Sequence, residues 1–533
     1  MTKASGRFDY SVLVVGSGPV GLALACELGM RGVDCLLVEK RDGSVTLPKM
    51  SVVTARGMEF CRRWGIAEQV RSAVWSENHA LDIVYLGSLR GNEYARLTIP
   101  SYRQRGKLDL TPEGACHCPQ IYFDPILAAH VRSLPSVTTR YFHNLDSFAQ
   151  DADGVSAKIS DTKTGAVQEL RVRYLIGCDG ANGLVRDALG IKLEGLGVVA
   201  NSTNIFFRAP ELSSFHDKGW ARIYRVIDET GCWSELIPID GNELWRLTVF
   251  DDPRGLSDPD GCLRRMAGAD FPYEMISVLG WERGDFIAAS YGHGRVFIAG
   301  DSAHQSSPTG GLGMHTGMEE AVNLGWKLEA MVKGWGAPKL LDSYEPERKP
   351  IAVRNVDLST RSYHGIVGIP GMSEASGGDD SCATAKAVAN WKSKMNVFSI
   401  GEHIKTQVTY ENSPVCISDG TPPPLPEPKQ YEPSTRPGAR APHAWIADNR
   451  STLDEMGEGF VLFDFSSTAE GEVFVDAARR LGVPLRRIAI DNPAVAATYQ
   501  KKYVLVRPDG HVAWRDEQLS LDPQHILDRC RGF

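Results

Sequence analysis

Three glycines near the start of the chain have the spacing of a dinucleotide-binding turn. Tyr10-Ser11-Val12-Leu13-Val14-Val15 has the pattern of a buried strand, and Gly16-Ser17-Gly18-Pro19-Val20-Gly21 follows it at once. In such a turn Gly16 permits the tight bend, Gly18 lets the backbone approach a pyrophosphate, and Gly21 lets the next helix pack closely on the sheet. The N-terminus of that helix offers unpaired N–H groups to phosphate oxygens.

A carboxylate follows at the end of the second predicted strand, residues 33–38. Glu39 stands eighteen residues after Gly21, where it can accept hydrogen bonds from the hydroxyls of an adenosine ribose. Its negative charge repels a 2′-phosphate, so this site should hold FAD or NAD and not NADP. Because strand, helix and acidic residue occur in register, a purely structural glycine turn is the less favoured interpretation.

A second glycine loop, far downstream, decides between these two cofactors. The predicted strand 295–299 leads to Gly300-Asp301, and the loop 310–313 opens a long helix from about Met314 to Lys333. An NAD enzyme has no use for this loop, whereas the ribityl chain of FAD carries its ring far from the pyrophosphate. We expect Asp301 to bind a ribityl hydroxyl, and the helix dipole to point at the N1 and O2 edge of the flavin.

The elements that must position these residues alternate between strand and helix, which indicates an α/β fold. Two stretches rich in aromatic and strand-like residues interrupt the alternation, and eight prolines occur between 418 and 442. We therefore predict a Rossmann-like FAD-binding domain with trailing helices (1–75, 111–190 and 285–417), an inserted β-rich substrate-binding domain (76–110 and 191–284), a proline-rich linker (418–442) and a small α/β domain (443–533).

Composition and charge exclude several classes of function. The chain has 533 residues, a net charge of -8 and a pI near 6.0, whereas a nucleic-acid-binding surface needs clustered Lys and Arg. We expect no signal peptide in the short polar segment 1–10 and no membrane span, since no apolar run reaches roughly 18 residues. The 11 scattered cysteines are typical of reduced thiols in a cytoplasmic protein. Cys116-His117-Cys118 lacks a second ligand pair, so we expect no metal site.

The motifs together resemble those of the class A (single-component) FAD-dependent aromatic hydroxylases, which include para-hydroxybenzoate, phenol and polyketide hydroxylases. The motifs that carry the resemblance, besides the first glycine turn, are Cys178-Asp179-Gly180-Ala181-Asn182-Gly183, Gly300-Asp301-Ser302-Ala303-His304, Asn323-Leu324-Gly325-Trp326-Lys327-Leu328, Leu341-Asp342-Ser343-Tyr344-Glu345 and Glu347-Arg348-Lys349-Pro350. Pro437-Gly438-Ala439-Arg440-Ala441-Pro442-His443 and residues 503–510 resemble the long branch that has a thioredoxin-like C-terminal domain.

The resemblance implies a set of cofactor contacts. Residues at the matching positions are expected to contact FAD: Gly16, Gly18, Gly21, Glu39, Lys40, Lys49, Gln120, Asp301, Pro308, Gly311, Gly313 and Met314. It also implies a backbone contact to the adenine near Leu145, and a role for Asp179-Gly180 in binding FAD and, transiently, the nicotinamide cofactor.

Three positions depart from the family pattern. The family usually has Arg at Lys49, Asn at His315 and Asp at Glu320. Lys49 keeps the charge but loses bidentate phosphate recognition. Because position 315 borders the flavin in the family, we hypothesise that the His315 imidazole tunes flavin or substrate. The alternative is that only its backbone N–H touches the flavin.

The reaction that the resemblance implies begins with reduction of FAD by NADH or NADPH. O2 then adds to form a flavin C4a-hydroperoxide, whose distal oxygen goes to an electron-rich carbon of a phenolic or related aromatic ring. This chemistry needs a dry pocket, for which the candidate walls are Phe206, Phe207, Tyr224, Trp233 and Trp245. A phenol reacts better after losing its proton, and our candidate catalytic residues are Tyr224 and His315. No second nucleotide fingerprint is present, so NADH or NADPH should dock transiently.

Several alternatives stay open at this point. A halogenase motif has a partial match at 233–238, but Glu235 replaces its second Trp. A Baeyer–Villiger or non-hydroxylating oxidation, or a non-catalytic flavin-binding scaffold, would use the same fold. The C-terminal domain has no Cys-x-x-Cys, and its only cysteine is Cys530, so we expect a structural role, with homodimerisation as one option. We see no basic amphipathic helix for membrane docking.

Overall fold

The computed structural model describes residues 8–371, 408–424 and 431–533. Part of the predicted trailing helices, at 372–407, and the middle of the predicted linker, at 425–430, lie outside the described residues. The mixed α/β architecture predicted from the sequence is confirmed, whereas the domain limits remain predictions.

The first third of the chain alternates strands with helices. In chain order its elements are β1 (Tyr10–Val15), α1 (Pro19–Met30), β2 (Cys35–Glu39), β3 (Val52–Val53), α2 (Ala55–Arg63), α3 (Ala67–Arg71), β4 (Ile83–Leu86), β5 (Glu93–Leu97), a 3₁₀ turn (Tyr102–Gln104), β6 (Cys116–His117), α4 (Gln120–Ser133), β7 (Val137–Tyr141), β8 (His143–Gln150), β9 (Val155–Asp161), β10 (Val167–Gly177) and α5 (Leu184–Ala188).

The middle of the chain is dominated by long antiparallel strands, followed by a helical region. These elements are β11 (Leu193–Arg208), β12 (Ile223–Asp228), β13 (Gly231–Pro238), β14 (Leu244–Phe250), α6 (Arg254–Ser257), α7 (Pro259–Ala267), β15 (Glu274–Ala288), β16 (Gly292–His293), β17 (Val296–Ile298), a 3₁₀ turn (Gly300–Ser302), β18 (His304–Gln305), α8 (Gly313–Lys333), α9 (Lys339–Asp342) and α10 (Tyr344–Val367).

The C-terminal region is again a small α/β unit. Its elements are β19 (Trp445–Ala447), β20 (Arg450–Ser451), a 3₁₀ turn (Thr452–Glu455), β21 (Phe460–Asp464), α11 (Glu472–Leu481), β22 (Leu485–Ala489), α12 (Pro493–Tyr499), β23 (Tyr503–Val506), β24 (Val512–Asp516) and α13 (Pro523–Cys530). Its sheet has the order β22-β21-β23-β24. The thioredoxin-like assignment of this region remains a prediction.

The first sheet has the order β16-β17-β10-β1-β2-β7, and β1, β2, β7, β17 and the end of β10 run parallel. The strands β1 and β2 are apolar along nearly their whole length and buried, as expected for parallel strands covered on both faces. Helices α1, α4 and α8 pack around this sheet. Parallel strands end at the same edge, so the turns after β1, β2, β10 and β17 lie side by side.

The second sheet has the order β18-β15-β11-β14-β13-β12-β4-β5. Its β4 and β5 come from the predicted segment 76–110 and its long strands from 191–284, so the two stretches do meet in one sheet. One face packs against α7 through an apolar cluster that includes Ile205, Leu247, Leu263 and Met266. The other face is turned away from α7.

The segment predicted as a proline-rich linker is largely buried over residues 431–442, whereas residues 418–424 are mostly exposed. Arg440 is buried and forms an ion pair with Glu59 of α2, and Gly438 donates its backbone N–H to Val512. The C-terminal sheet also shares a core with the first domain, since Trp326 and Trp335 pack against Phe460. Residues 431–442 therefore pack against both units, and the assignment of 418–442 as a linker remains a prediction.

Candidate cofactor and substrate site

The first glycine turn packs against backbone at Gly16 and Gly21 and leaves free space at Gly18. Gly16 has a φ of +101°, and a side chain there would collide with the carbonyl of Cys178. A side chain at Gly21 would meet the carbonyl of Gly16, so α1 lies against the turn. A Cβ added at Gly18, by contrast, would meet no atom within 4 Å, which leaves room beside the N-terminus of α1.

Glu39 is fixed by backbone groups around the turn. Its Oε2 accepts the N–H of Ser17 at 3.0 Å, and its Oε1 accepts the N–H of Arg41 at 3.0 Å. The carboxylate therefore lies beside the first glycine turn, at the end of β2, as the sequence predicted. This placement suits a group that accepts further hydrogen bonds from a ribose.

The segment Asp179-Gly180 lies against the second glycine region, although more than a hundred residues separate them in sequence. The Ser302 hydroxyl donates to Asp179 Oδ1 at 2.9 Å and accepts the N–H of Gly180 at 3.0 Å. The other oxygen of Asp179 accepts the N–H of Val185 at the start of α5. Asp301, between Gly300 and Ser302, keeps its side chain exposed.

The loop before α8 also leaves its backbone uncovered by side chains. Gly311 has a φ of +64° and donates its N–H to Pro308 at 2.9 Å. A Cβ added at Gly311 would meet no atom within 4 Å, and the same holds for Gly180. Gly313 begins α8, whose first turn has no side-chain cap, so its N–H groups are available to an anionic partner.

Glu320, about two turns inside α8, contacts the second glycine region. Its Oε2 accepts the N–H of Gly300 at 2.8 Å, and the carboxylate lies 3.1 Å from Nε2 of His304. Both side chains are fully buried. Burial alone would lower the pKa of His304, but the Glu320 carboxylate raises it above the usual value. The longer Glu in place of the family's usual Asp thus acts as a structural contact here.

Both ring nitrogens of His315 form hydrogen bonds with backbone groups. Its Nε2 accepts the N–H of Thr54 at 2.9 Å, and its Nδ1 donates to the carbonyl of Gly311 at 2.8 Å. The side chain is buried, and it joins the residue preceding α2 to the loop that opens α8. These contacts favour a positioning role, so the hypothesis that the imidazole tunes flavin or substrate remains a prediction.

The remaining predicted cofactor contacts lie on several elements and differ in exposure. Lys40 and Lys49 have exposed side chains. Gln120 begins α4, donates its backbone N–H to Met50 at 2.9 Å, and donates its side-chain amide to Asp124 at 2.8 Å. Leu145 is buried in β8, and Met314 lies in the first turn of α8. Contact of these residues with the cofactor remains a prediction.

Three independent features fit FAD. Open glycines lie after β1, after β10 and before α8, at Gly18, Gly180 and Gly311. Two helices, α1 and α8, begin at these openings without a side-chain cap. Glu39 and Asp301 supply carboxylates of the kind that bind hydroxyls of the ribose and of the ribityl chain. One dinucleotide turn alone would suit NAD equally well, whereas the second uncapped helix suits a flavin.

Tyr224 is placed away from this region. Its hydroxyl donates to the carbonyl of Gly219 and accepts the N–H of Ala221. It lies with Trp245 and Phe207 on the sheet face that packs against α7. Burial raises the pKa of Tyr224 well above its ordinary value. This placement speaks against Tyr224 as a proton acceptor, and Phe206 is the predicted aromatic wall that lies on the other face.

That other face carries a row of polar side chains which the sequence analysis did not identify. Directly paired residues across β4, β12, β13, β14 and β11 form it: Tyr85, Arg225, Glu235, Thr248 and Asn204. Directly opposite residues share a face of a sheet, so all five point to the same side. One sequence pattern could have revealed this face: Arg246 and Thr248 are polar residues two positions apart in the otherwise apolar strand β14, so they point to the same side of the sheet.

Two arginines of this face are buried and form no ion pair with a carboxylate among the residues that the structure describes. Arg246 donates to the carbonyls of Pro48 and Lys49, and Arg283 donates to the hydroxyls of Ser202, Ser307 and Thr309 at 2.8, 3.1 and 3.3 Å. Burial lowers the pKa of Arg246, and that of Arg283 to about 10. These contacts join the polar face to the segment after residue 48 and to the loop before α8.

Other site types find no support in the described part of the chain. None of its helices has the length and apolarity needed to cross a bilayer. No group of three His, Cys, Asp or Glu side chains among the described residues is arranged to hold a metal ion.

Comparison with known proteins matches nearly the whole chain. The family described as "FAD binding domain" matches residues 9–359, and the family described as "Aromatic-ring hydroxylase, C-terminal" matches residues 434–531. The chain is 33% identical over 560 residues to the tetracenomycin B2 monooxygenase-dioxygenase of Streptomyces olivaceus, covering 98% of each chain. It is 28% identical over 582 residues to the phenol 2-monooxygenase of Pseudomonas sp. (strain EST1001), covering 97% of this chain and 92% of that protein.

Solved structures give the same result. The rebeccamycin biosynthetic enzyme RebC with reduced flavin superposes with a TM-score of 0.90 at 36% identity, covering 99% of this chain and all of that chain. Aklavinone-11 hydroxylase, solved with FAD and aklavinone, superposes with a TM-score of 0.83 at 28% identity, covering 99% of each.

Proposed function

Since the chain belongs to the family of FAD-dependent aromatic-ring hydroxylases, we propose that it hydroxylates a phenolic aromatic substrate that carries an anionic group, using O2 and NADH or NADPH. The observation that supports this proposal is the pairing of the two glycine regions with a buried polar sheet face. Arg283 joins that face to Ser307 and Thr309, directly before the open loop at Gly311.

The FAD would be held by the residues around the three open glycines. The uncapped starts of α1 and α8 and the carboxylates of Glu39 and Asp301 supply the matching donors and acceptors. When bound, FAD takes electrons from the nicotinamide cofactor and activates O2. The protein's own part is to bind, orient and shield the aromatic ring beside it.

The charge of the polar face points to an anionic substrate. Among the described residues, the buried guanidinium groups of Arg246 and Arg283 share one neighbouring carboxylate, that of Glu235, which also lies 3.8 Å from Arg225. An excess of buried positive charge is costly unless a negative group balances it. A phenolate or a ring carboxylate would supply that charge, and a phenolate is also the form of a phenol that reacts most readily with an electrophilic oxygen.

The proposal also covers the location of the protein and its assembly. We propose the cytoplasm because the ten described cysteines are free, eight of them buried, as is usual for a reducing compartment. A homodimer stays an option for the C-terminal domain.

The experiment is aerobic oxidation of NADH and NADPH by the FAD-loaded protein with a panel of phenols, each tested with and without a ring carboxylate. We expect one or more acidic phenols to raise the rate sharply, with hydroxylated product and little H2O2. Oxidation that no phenol stimulates, or that yields only H2O2, would refute the proposal and direct attention to Baeyer–Villiger or non-hydroxylating oxidations.

A further inference from the structure

His117, the middle residue of the Cys-His-Cys sequence, has a defined tautomer and an unused ring nitrogen. It lies in β6 and is 1% exposed. Its Nε2 lies 3.2 Å from the carbonyl of Ile239. Since a carbonyl only accepts, Nε2 carries the hydrogen, and Nδ1 presents a lone pair. Among the residues that the structure describes, Nδ1 has no hydrogen-bond partner.

The imidazole stays neutral where it lies. Burial lowers the pKa of His117 to about 3; the backbone groups of Ile239 and Pro238 oppose this shift, and the guanidinium groups of Arg222 and Arg246 add to it. A neutral histidine fixed in this tautomer is a hydrogen-bond acceptor at Nδ1 throughout the physiological pH range.

Trp75 lies against His117 and, among the described residues, carries an unpaired hydrogen-bond donor, whereas His117 carries an unpaired acceptor. The two ring centroids are 4.3 Å apart, and Trp75 is 4% exposed. Its indole N–H likewise has no acceptor within the described part of the chain. Buried donors and acceptors are seldom left unpaired in native proteins, and here an unused donor and an unused acceptor belong to side chains in contact.

The pair lies where the two domains meet. His117 is paired with Val52 in the ribbon β3–β6, three residues before Gln120, a predicted cofactor contact. Its partner Ile239 directly follows β13, the strand that carries Glu235. The positive charge of Arg246, on the polar face, is close enough to lower the pKa of His117. The pair is therefore next to the region proposed to hold the aromatic ring.

We propose that Trp75 Nε1 and His117 Nδ1 together bind one hydroxyl group of the aromatic substrate, with Trp75 donating to its oxygen and His117 accepting from its hydrogen. This inference rests on the proposed function and deepens it, because it assigns a specificity-determining pair. A hydroxyl both donates and accepts, so it satisfies both groups at once. A buried water molecule has the same chemistry, and the experiment separates the two.

The first test compares a phenol with its methyl ether. The phenol is the one from the panel above that most stimulates NAD(P)H oxidation, and binding of both compounds to the FAD-loaded enzyme is followed by the change in flavin absorbance. Trp75→Phe keeps the ring and removes the N–H. We expect the ratio of the ether's Kd to the phenol's Kd to fall about tenfold. Trp335→Phe removes another buried, unpartnered indole N–H, far along the chain, and should leave the ratio unchanged.

The second test varies the acceptor. His117→Phe should lower the same ratio about tenfold, whereas His117→Asn, whose amide oxygen can replace Nδ1, should retain most of it. If His117→Phe fails to bind FAD, Trp75→Phe alone decides. An unchanged ratio in Trp75→Phe overturns the proposal, and an equal loss for phenol and ether shows that the pair holds a structural water. If no phenol stimulates oxidation in the unmodified enzyme, the proposed function fails instead.

Discussion

At the scale of single residues, Arg246 and Arg283 of the polar sheet face differ from the exposed arginines in their partners. Arg246 and Arg283 contact carbonyl and hydroxyl oxygens, whereas exposed arginines such as Arg264 pair with a carboxylate. A guanidinium that keeps its charge among neutral groups is suited to a negative ligand. The substrate's charge is therefore the property that these residues should select.

Replacing Arg246 should weaken binding of acidic substrates selectively. In Arg246→Met we expect the KM of a carboxylated phenol to rise about tenfold or more, because a charge-assisted hydrogen bond is lost, and the KM of its methyl ester to change little. Arg264→Met is the matched control, since that side chain is exposed and pairs with Asp270. Equal changes for acid and ester, at normal FAD content, would show that Arg246 does not sense substrate charge.

His315 leads to a prediction about cofactor affinity. His315→Asn can replace only one of the two hydrogen bonds, to Thr54 and Gly311, so the loop before α8 should loosen. We expect the Kd for FAD to rise about tenfold, as for one hydrogen bond lost from a buried site, with the pH profile of turnover unaltered. Fluorescence titration with FAD measures the Kd, and steady-state rates measured across pH give the pH profile. A shifted pH profile would instead support the hypothesis that the imidazole tunes flavin or substrate.

Local motifs were readable from sequence, and side-chain placement across a sheet was not. Gly16, Gly18 and Glu39 are fixed by a turn, a helix start and a strand end within thirty residues of one another, so their spacing carries the information. Tyr224 and Arg225 differ by one position, yet they face opposite sides of the second sheet. Which side faces the cofactor depends on pairing between distant strands, and no local pattern reveals it.

At the scale of elements, the long helix α8 and the strands β1, β2 and β17 agree with the sequence prediction, because each carries a strong local pattern. The meeting of β4 with β12 depends on a contact between segments more than a hundred residues apart. The burial of residues 431–442 in the proline-rich segment likewise depends on contacts with distant parts of the chain. Its prolines exclude helix and strand, but they do not prevent burial of Arg440 against α2.

The helix α4 contains a buried carboxyl group that should make stability depend on pH. Burial raises the pKa of Asp124 to about 7, against lesser opposing effects of Gln120 and Lys49. Between roughly pH 4, where an unfolded Asp ionises, and pH 7, the unfolded state releases a proton that the folded state retains. The free energy of unfolding should therefore fall across this window by up to roughly 1.4 kcal/mol per pH unit from this group.

Asp124→Asn should remove that contribution. We expect the variant to gain stability over the parent protein as the pH rises from 4 to 7, and to match it at the acid end, as measured by urea unfolding at each pH. Asp476→Asn, at an exposed position, is the control and should follow the parent. A stability difference that is the same at every pH would show that Asp124 is ionised in the folded protein.

At the scale of the whole molecule, the C-terminal domain is joined to the first domain by a buried ionic cluster. Glu347 of α10 accepts from Lys327 of α8 at 2.6 Å and from Arg507, which follows β23, at 2.5 and 2.9 Å. Although burial alone would raise it, Arg507 and Lys327 hold the pKa of Glu347 below its usual range. The helix that opens at the second glycine region is thus tied to the C-terminal domain.

Breaking this cluster should destabilise both units together. Arg507→Met leaves Glu347 buried with one cation fewer, which costs about 3–5 kcal/mol in comparable buried pairs. We expect a single unfolding transition at lower denaturant concentration, with FAD fluorescence and circular dichroism changing together. Arg479→Met removes an exposed ion pair with Asp476 and should cost less than about 0.5 kcal/mol. Two separate transitions in Arg507→Met would mean that the C-terminal domain unfolds independently.

The central claim is that this chain inserts oxygen into a phenolic ring. The most direct measurement is turnover of the best phenol under ¹⁸O2 with NADPH or NADH, followed by mass spectrometry of the product. The account predicts a hydroxylated ring that carries one labelled oxygen atom, with NAD(P)H consumed in proportion to product. Consumption of NAD(P)H that yields H2O2 and unlabelled or unchanged phenol would contradict it.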